Sequence, residues 1–98
     1  MLEKLTITDF TPHLNQHFSI HFTPEVTLSA ELIDARAWGE VPENQRQPFN
    51  LIFRIAQKNG YYPQAIYSLI HPALGELAIF FVPLGPDAEG MRYEAVFN

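Results

Sequence analysis

The chain of 98 residues carries 11 acidic side chains against 6 basic ones, a net charge of −5, and no cysteine. So few scattered cations exclude the positive footprint that a phosphate backbone requires, and the missing thiols exclude disulfides, Cys-ligated zinc and thiol catalysis. A hydrophobic content of 47% with eight Phe, four Tyr and one Trp excludes a disordered chain and supplies one core for a single domain spanning residues 1–98.

Residues 1–16 are the least strand-like part. Thr8 or Asp9 would cap a short helical turn with Pro12 near its start. Phe10 and Leu14, four apart on one face, would then plug an open end of the fold. A first strand at Lys4–Thr8 competes with that reading. From His17 the pattern is plain: Phe18, Ile20 and Phe22 alternate with His17, Ser19 and His21 up to Thr23-Pro24. Val26, Leu28, Ala30 and Leu32 then alternate with Thr27, Ser29, Glu31 and Ile33, which predicts a hairpin.

Residues 34–48 form the longest predicted loop, with Trp38, Gly39, Pro42 and Pro48. Phe49, Leu51, Phe53 and Ile55 next define an inward face, with Asn50, Ile52 and Arg54 outward. Asn59-Gly60 is the dipeptide preferred by type I′ turns, because both positions take φ > 0. A strand resumes near Gln64 with either Ile66, Ser68 and Ile70 or Tyr67 and Leu69 facing in, and residues 71–75 make the next turn. In the segment 77–82, Leu77, Ile79 and Phe81 share one side and Ala78, Phe80 and Val82 the other. Apolar residues on both sides predict a strand covered on each face. After a Gly/Pro/Asp-rich turn, Tyr93, Ala95 and Phe97 alternate with Arg92, Glu94 and Asn98.

All five glycines, at 39, 60, 75, 85 and 90, fall in these turns and loops. Local chemistry and hydrophobic pattern therefore agree. They predict an all-β domain: a six- to seven-stranded antiparallel barrel or compact sandwich with a short N-terminal helical turn. The barrel is preferred, because closure removes edges that such aromatic strands would otherwise expose.

His13, His17 and His21 repeat every four residues, a helical metal-ligand spacing. In a strand, however, His17 and His21 lie about 13 Å apart at ~3.3 Å per residue, too far for one ion. No metal or cofactor is expected. Trp38 reads as an interface anchor or ligand platform, or as a lid on the barrel mouth; Tyr61 and Tyr62 form a second aromatic loop. No nucleophile elbow, phosphate-cradling loop or His-Glu-x-x-His motif occurs. The carboxylate pairs at 31/34, 40/43 and 87/89 lie in or beside loops, and Arg54 with Glu94 is a candidate cross-strand pair. An enzyme is not expected.

Phe49-Asn-Leu-Ile-Phe-Arg, Gln64 with Tyr67, residues 71–75, the run 77–83 and Tyr93-Glu-Ala-Val-Phe-Asn98 resemble a family of small uncharacterised bacterial proteins, a domain of unknown function. Asp9-Phe10 followed by Phe18 is the N-terminal part of the match. The family commonly has Leu-Gly where Leu14-Asn15 stands here, and Asn also tolerates φ > 0. Its members tend to be encoded near phage-tail-collar-like proteins. The resemblance therefore implies an accessory or structural part of a tail-like assembly, and it brings no catalytic residue.

The expected function is accordingly non-enzymatic contact with a protein partner or with itself, through Trp38, Tyr61, Tyr62, His17 and His21. The alternative is a small-molecule-binding barrel whose mouth is lined by Trp38, Tyr61 and Tyr62. Neither nucleic acid nor membrane is an expected partner, since no apolar run approaches the ~20 residues of a span. The start of the chain lacks the features of a signal peptide, so the expected location is cytoplasmic, with release in a tail-like particle if such an assembly is its context.

Overall fold

Segments that alternate apolar and polar side chains become six strands in the computed structural model, which describes residues 4–41, 45–57 and 60–98. These are β1 (His17–Thr23), β2 (Val26–Ala37), β3 (Phe49–Ile55), β4 (Ala65–His71), β5 (Gly75–Pro86) and β6 (Met91–Phe97). All neighbours are antiparallel, and the sheet closes into a barrel in the order β1-β2-β3-β6-β5-β4. The seam between β1 and β4 is the shortest, made by Ser19↔Ile70, Ile20↔Leu69 and His21↔Ser68. Closure decides between barrel and sandwich.

One alternating set from each strand fills the interior. Phe18, Ile20, Phe22, Ala30, Leu32, Phe49, Leu51, Phe53, Ile55, Leu69, Ile79, Phe81, Met91, Tyr93, Ala95 and Phe97 are all buried. Phe18 meets Phe53 edge-on with ring centres 5.2 Å apart, and Phe53 meets Phe81 the same way at 5.7 Å. Such tilted contacts add to the burial term because ring edges and faces carry opposite partial charge. In β4 the inward set is Tyr67, Leu69 and His71, which leaves Ile66 on the outside. The expectation that β5 is covered on both faces is not met. Phe80 remains 50% exposed, because a closed barrel gives each strand one interior face and nothing described packs over the other.

Two irregularities explain where simple alternation fails. Between Leu32↔Phe53 and Asp34↔Ile52 the register of β2 slips by one residue at Ile33. A bulge reverses which residues face in, so Ala35 packs on the core while Asp34 and Arg36 form an outward ion pair at 3.2 Å. The strand thus continues to Ala37, and the loop begins four residues later than expected from residue 34. In β5 a second slip falls between Pro83 and Gly85, with Gly85 at φ 102. Proline fits there because a bulge leaves ladder positions unpaired.

Among the described residues the N-terminal segment forms the 3₁₀ turns Ile7–Asp9 and Thr11–His13, rather than the competing strand. The first is capped from Thr6, whose backbone N–H donates to the Asp9 carboxylate at 2.8 Å, and not from Thr8 or Asp9. Phe10 plugs one barrel end against Phe49 and Phe97, with ring centres 5.9 and 5.5 Å away. Leu14 does not join it and is 36% exposed, because a 3₁₀ turn has three residues per turn and places i and i+4 on different faces. Asn15 takes φ 67, and its N–H donates to Leu32 O at 2.7 Å. At the opposite end Tyr62 stacks on Phe22 at 4.4 Å, and its N–H donates to the Tyr93 hydroxyl at 2.9 Å. Of the expected Asn59-Gly60 turn, Asn59 lies outside the described residues, as does Pro42; Gly60 takes φ 86.

The turn between β5 and β6 is pinned to the barrel wall. Arg54 stands opposite Arg92 on β6, an unfavourable pairing of like charges. Its guanidinium turns instead to Glu31 at 3.4 Å, Asp87 at 3.0 Å and Glu89 at 2.8 Å. The expected Arg54–Glu94 pair does not form, because register sets Glu94 opposite Ile52. Asp87 also accepts the backbone N–H groups of Glu89 and Gly90, at 2.8 and 2.9 Å. Gly90 lies so close to β3 that a Cβ would stand 1.9 Å from Ile55 O.

Two outcomes are expected at this turn. Gly90→Ala lowers the unfolding free energy in denaturant titration by about 3 kcal/mol, the upper end for overpacking against backbone that cannot move aside. The Glu89 backbone N–H, and then Arg54 and the Gly90 N–H, hold the Asp87 carboxyl below the usual aspartate range. A depressed pKa stabilises the fold above the unfolded-state value and loses that effect as pH falls through the folded-state value. Asp87→Asn should therefore lower the melting temperature at neutral pH. Its gap from wild type should close as pH drops below about 4; a gap that persists in acid would contradict the assignment.

Candidate functional site

Large side chains fill the interior, so the exposed candidate residues stand outside it. Trp38 follows the end of β2, where its backbone N–H donates to Pro48 O at 2.9 Å. It does not lie over the barrel mouth. Its indole runs along the outside of β3 and donates Nε1–H to Asn50 Oδ1 at 2.6 Å, while Asn50 Nδ2 donates to Glu94 Oε2 at 2.9 Å. Gln47 fixes the same corner by donating to the carbonyls of Trp38 and Gly39, both at 2.6 Å. The result is an open recess floored by Ile52 and Asn50 and rimmed by Asp34, Arg36, Trp38 and Glu94. Trp38 stays 43% exposed within this bonding network, so its ring is pre-ordered yet accessible.

The other predicted residues are separated from it. Tyr61 and Tyr62 precede β4 and therefore lie at the barrel end opposite to Trp38, so the three aromatics do not share one mouth. Tyr62 belongs to the core closure described above. Tyr61, 65% exposed, borders a shallow groove with Leu84, Pro86 and Met91. His17 and His21 project outward from β1, where their Nδ1 atoms meet Ser29 Oγ at 3.0 Å and Thr27 Oγ1 at 2.7 Å. Both are side-chain ladders on a polar wall. His13 sits elsewhere, against His71, with ring centres 4.3 Å apart. Among the described residues no group of three or more His, Cys, Asp or Glu side chains is arranged to hold a metal ion.

Register reveals a feature that reasoning from the sequence missed. Ile66 on β4 stands directly opposite Phe80 on β5. One step along the ladder from Phe81↔Ala95, the next outward residues are Phe80 and Val96. Val96 in turn pairs with Asn50, the residue that holds Trp38. Ile66, Phe80 and Val96 are 67, 50 and 47% exposed, so an apolar strip crosses three strands and leads to the indole. Its signal was present as the second apolar face of residues 77–82, but that signal reads equally as buried surface until the barrel is closed.

No helix among the described residues is long and apolar enough to cross a membrane. Neither curated proteins nor solved structures give a match to this chain. A family model described as a domain of unknown function, DUF6916, matches residues 5–97, nearly the whole of the barrel and its N-terminal plug. The chain therefore belongs to the DUF6916 family.

Proposed function

We propose that this protein is a non-enzymatic binding module that works by protein–protein contact through its outer wall. The observation that carries this reading is the strip of Ile66, Phe80 and Val96 running up to the ordered indole of Trp38. Contiguous exposed apolar surface costs solubility and marks contact sites, and Trp anchors are over-represented among residues that dominate binding energy. Glu76 and Glu94 share the outer face of β5 and β6 with the strip and outnumber Arg92 there, and the chain as a whole carries a net charge of −5. A partner presenting apolar side chains within a cationic rim suits that surface better than a second acidic copy does.

The finer reading is an accessory part of a phage-tail-like assembly in a bacterium, folded in the cytoplasm. It is supported by the resemblance of the motifs at 49–54, 71–83 and 93–98 to proteins encoded near tail-collar-like partners. A ligand-binding barrel has less support, since large side chains occupy the interior and the aromatic residues lie at opposite ends.

Phe80→Asp tests the reading. The side chain is half exposed, so the melting temperature should change little, while an interface centred there should lose about 2 kcal/mol or more of binding, roughly 30-fold. Co-purification with a tail-collar-like protein, measured for wild type and variant by light scattering and by titration, provides the comparison. A strictly monomeric wild type with no complex, or a complex indifferent to Phe80→Asp and to Ile66→Asp, would overturn it.

A further inference from the structure

The plugged end of the barrel holds a group of polar side chains that the binding reading does not use. His71, the last residue of β4, is buried. It is packed between Phe18 of β1 and His13 of the second 3₁₀ turn, with ring centres 4.6 and 4.3 Å away. Its Nδ1 accepts the backbone N–H of Ala73 at 3.0 Å. A backbone N–H can only donate, so Nδ1 is bare and the proton of the neutral ring sits on Nε2. That N–H faces Gln16 Oε1 at 3.3 Å, and the same oxygen faces His13 Nδ1 at 3.0 Å. One amide oxygen therefore gathers two imidazole donors, tying the N-terminal segment to the turn between β4 and β5.

This arrangement argues against a metal and for a proton. A metal on Nε2 would need the proton on Nδ1, where it would confront the Ala73 N–H. Protonation of His71 places a hydrogen at that same spot, turning an acceptor into a second donor inside a largely apolar pocket. It also sets a positive charge against His13, the only titratable side chain in contact with His71 among the described residues. Among the described residues no carboxylate is paired with the ring to relieve that charge.

We propose that His71, Gln16 and His13 form an acid-released latch: at neutral pH it holds the segment carrying Phe10 over the barrel end, and protonation of His71 frees that segment while the strands stay paired. The released surface would be the ring cluster of Phe10, Phe49 and Phe97, now reachable from solvent. Burial, and then the neighbouring His13, hold the His71 imidazole below its ordinary value. For a depressed histidine the stabilisation is complete above the unfolded-state value of about 6.5 and is lost as pH falls below it toward the folded-state value. The latch therefore opens on the acid side of neutrality.

Amide hydrogen exchange, corrected for intrinsic rates, reads the latch directly. Between about pH 7 and about pH 5, protection of residues 10–16 and of Ala73 should fall by about tenfold while Leu51 and Phe53 in β3 keep theirs. His71→Asn retains an acceptor near the Ala73 N–H but does not titrate, and should abolish that response. Equal loss across plug and strands, no loss in wild type, or an undiminished response in His71→Asn would each overturn the proposal. Should the variant fail to fold, nitrogen-15 shifts of the wild-type rings decide: a neutral His71 carrying its proton on Nδ1 would equally overturn it.

Discussion

A closed barrel of only six strands leaves its interior room for side chains and for little else, and this protein meets that limit with rings. Phe18, Phe53 and Phe81 cross the centre through edge-to-face contacts, Phe10, Phe49 and Phe97 close one end, and Phe22 with Tyr62, Tyr67 and Tyr93 closes the other. Each ring can be accommodated only if its strand presents the correct face, so register along every seam is dictated from inside. The bulges at Ile33 and Leu84 are part of the same constraint, since they let strands of twelve residues bend around a narrow core.

The proposed contact surface is consequently on the exterior. The inward residues are committed to the packing that closes the barrel, whereas outward residues such as Asn50 and Glu94 are ordered by cross-strand hydrogen bonds on the wall. Trp38 shows how one point of the wall is ordered. Its main chain is tied at Pro48 and Gln47 and its indole at Asn50, so little side-chain freedom remains to be lost on binding. The row of Ile66, Phe80 and Val96 extends that ordered point into a surface.

The two polar clusters do different work at the two ends. Arg54 collects Glu31, Asp87 and Glu89 where solvent can still reach them, a pin that holds the β5–β6 turn and offsets the like charge of Arg92. His71 is drawn inside, where one proton decides whether its hydrogen bonds are matched. Partial exposure makes the first arrangement tolerant of pH around neutrality, and burial makes the second sensitive to it.

Much of this was legible before any coordinates. Period-two alternation marked the inward sets of β1, β2, β3 and β6, because that signal depends only on neighbouring residues. It left β4 open between two faces, and the Gly/Pro-rich stretch read as a turn after residue 82 proved to be the bulged end of β5, which runs to Pro86. The N-terminal plug was legible through Phe10 but not Leu14, since spacing by four assumes an α-helix and the segment is 3₁₀. The β2 extension was hidden, because a bulge inverts the alternation that identifies a strand. Trp38 was visible as a residue to watch, but its place on the outer wall depends on Asn50, twelve positions away. The sequence by itself determined that the chain is built of short antiparallel strands, and it determined the inward faces of β1, β2, β3 and β6, all consequences of local chemistry. Tertiary structure alone decided that the second face of β5 is bare, that Val96 and Ile66 flank Phe80, and that His71 rather than His17 or His21 meets His13. Those are long-range adjacencies, set by how the strands close, and no spacing along the chain encodes them.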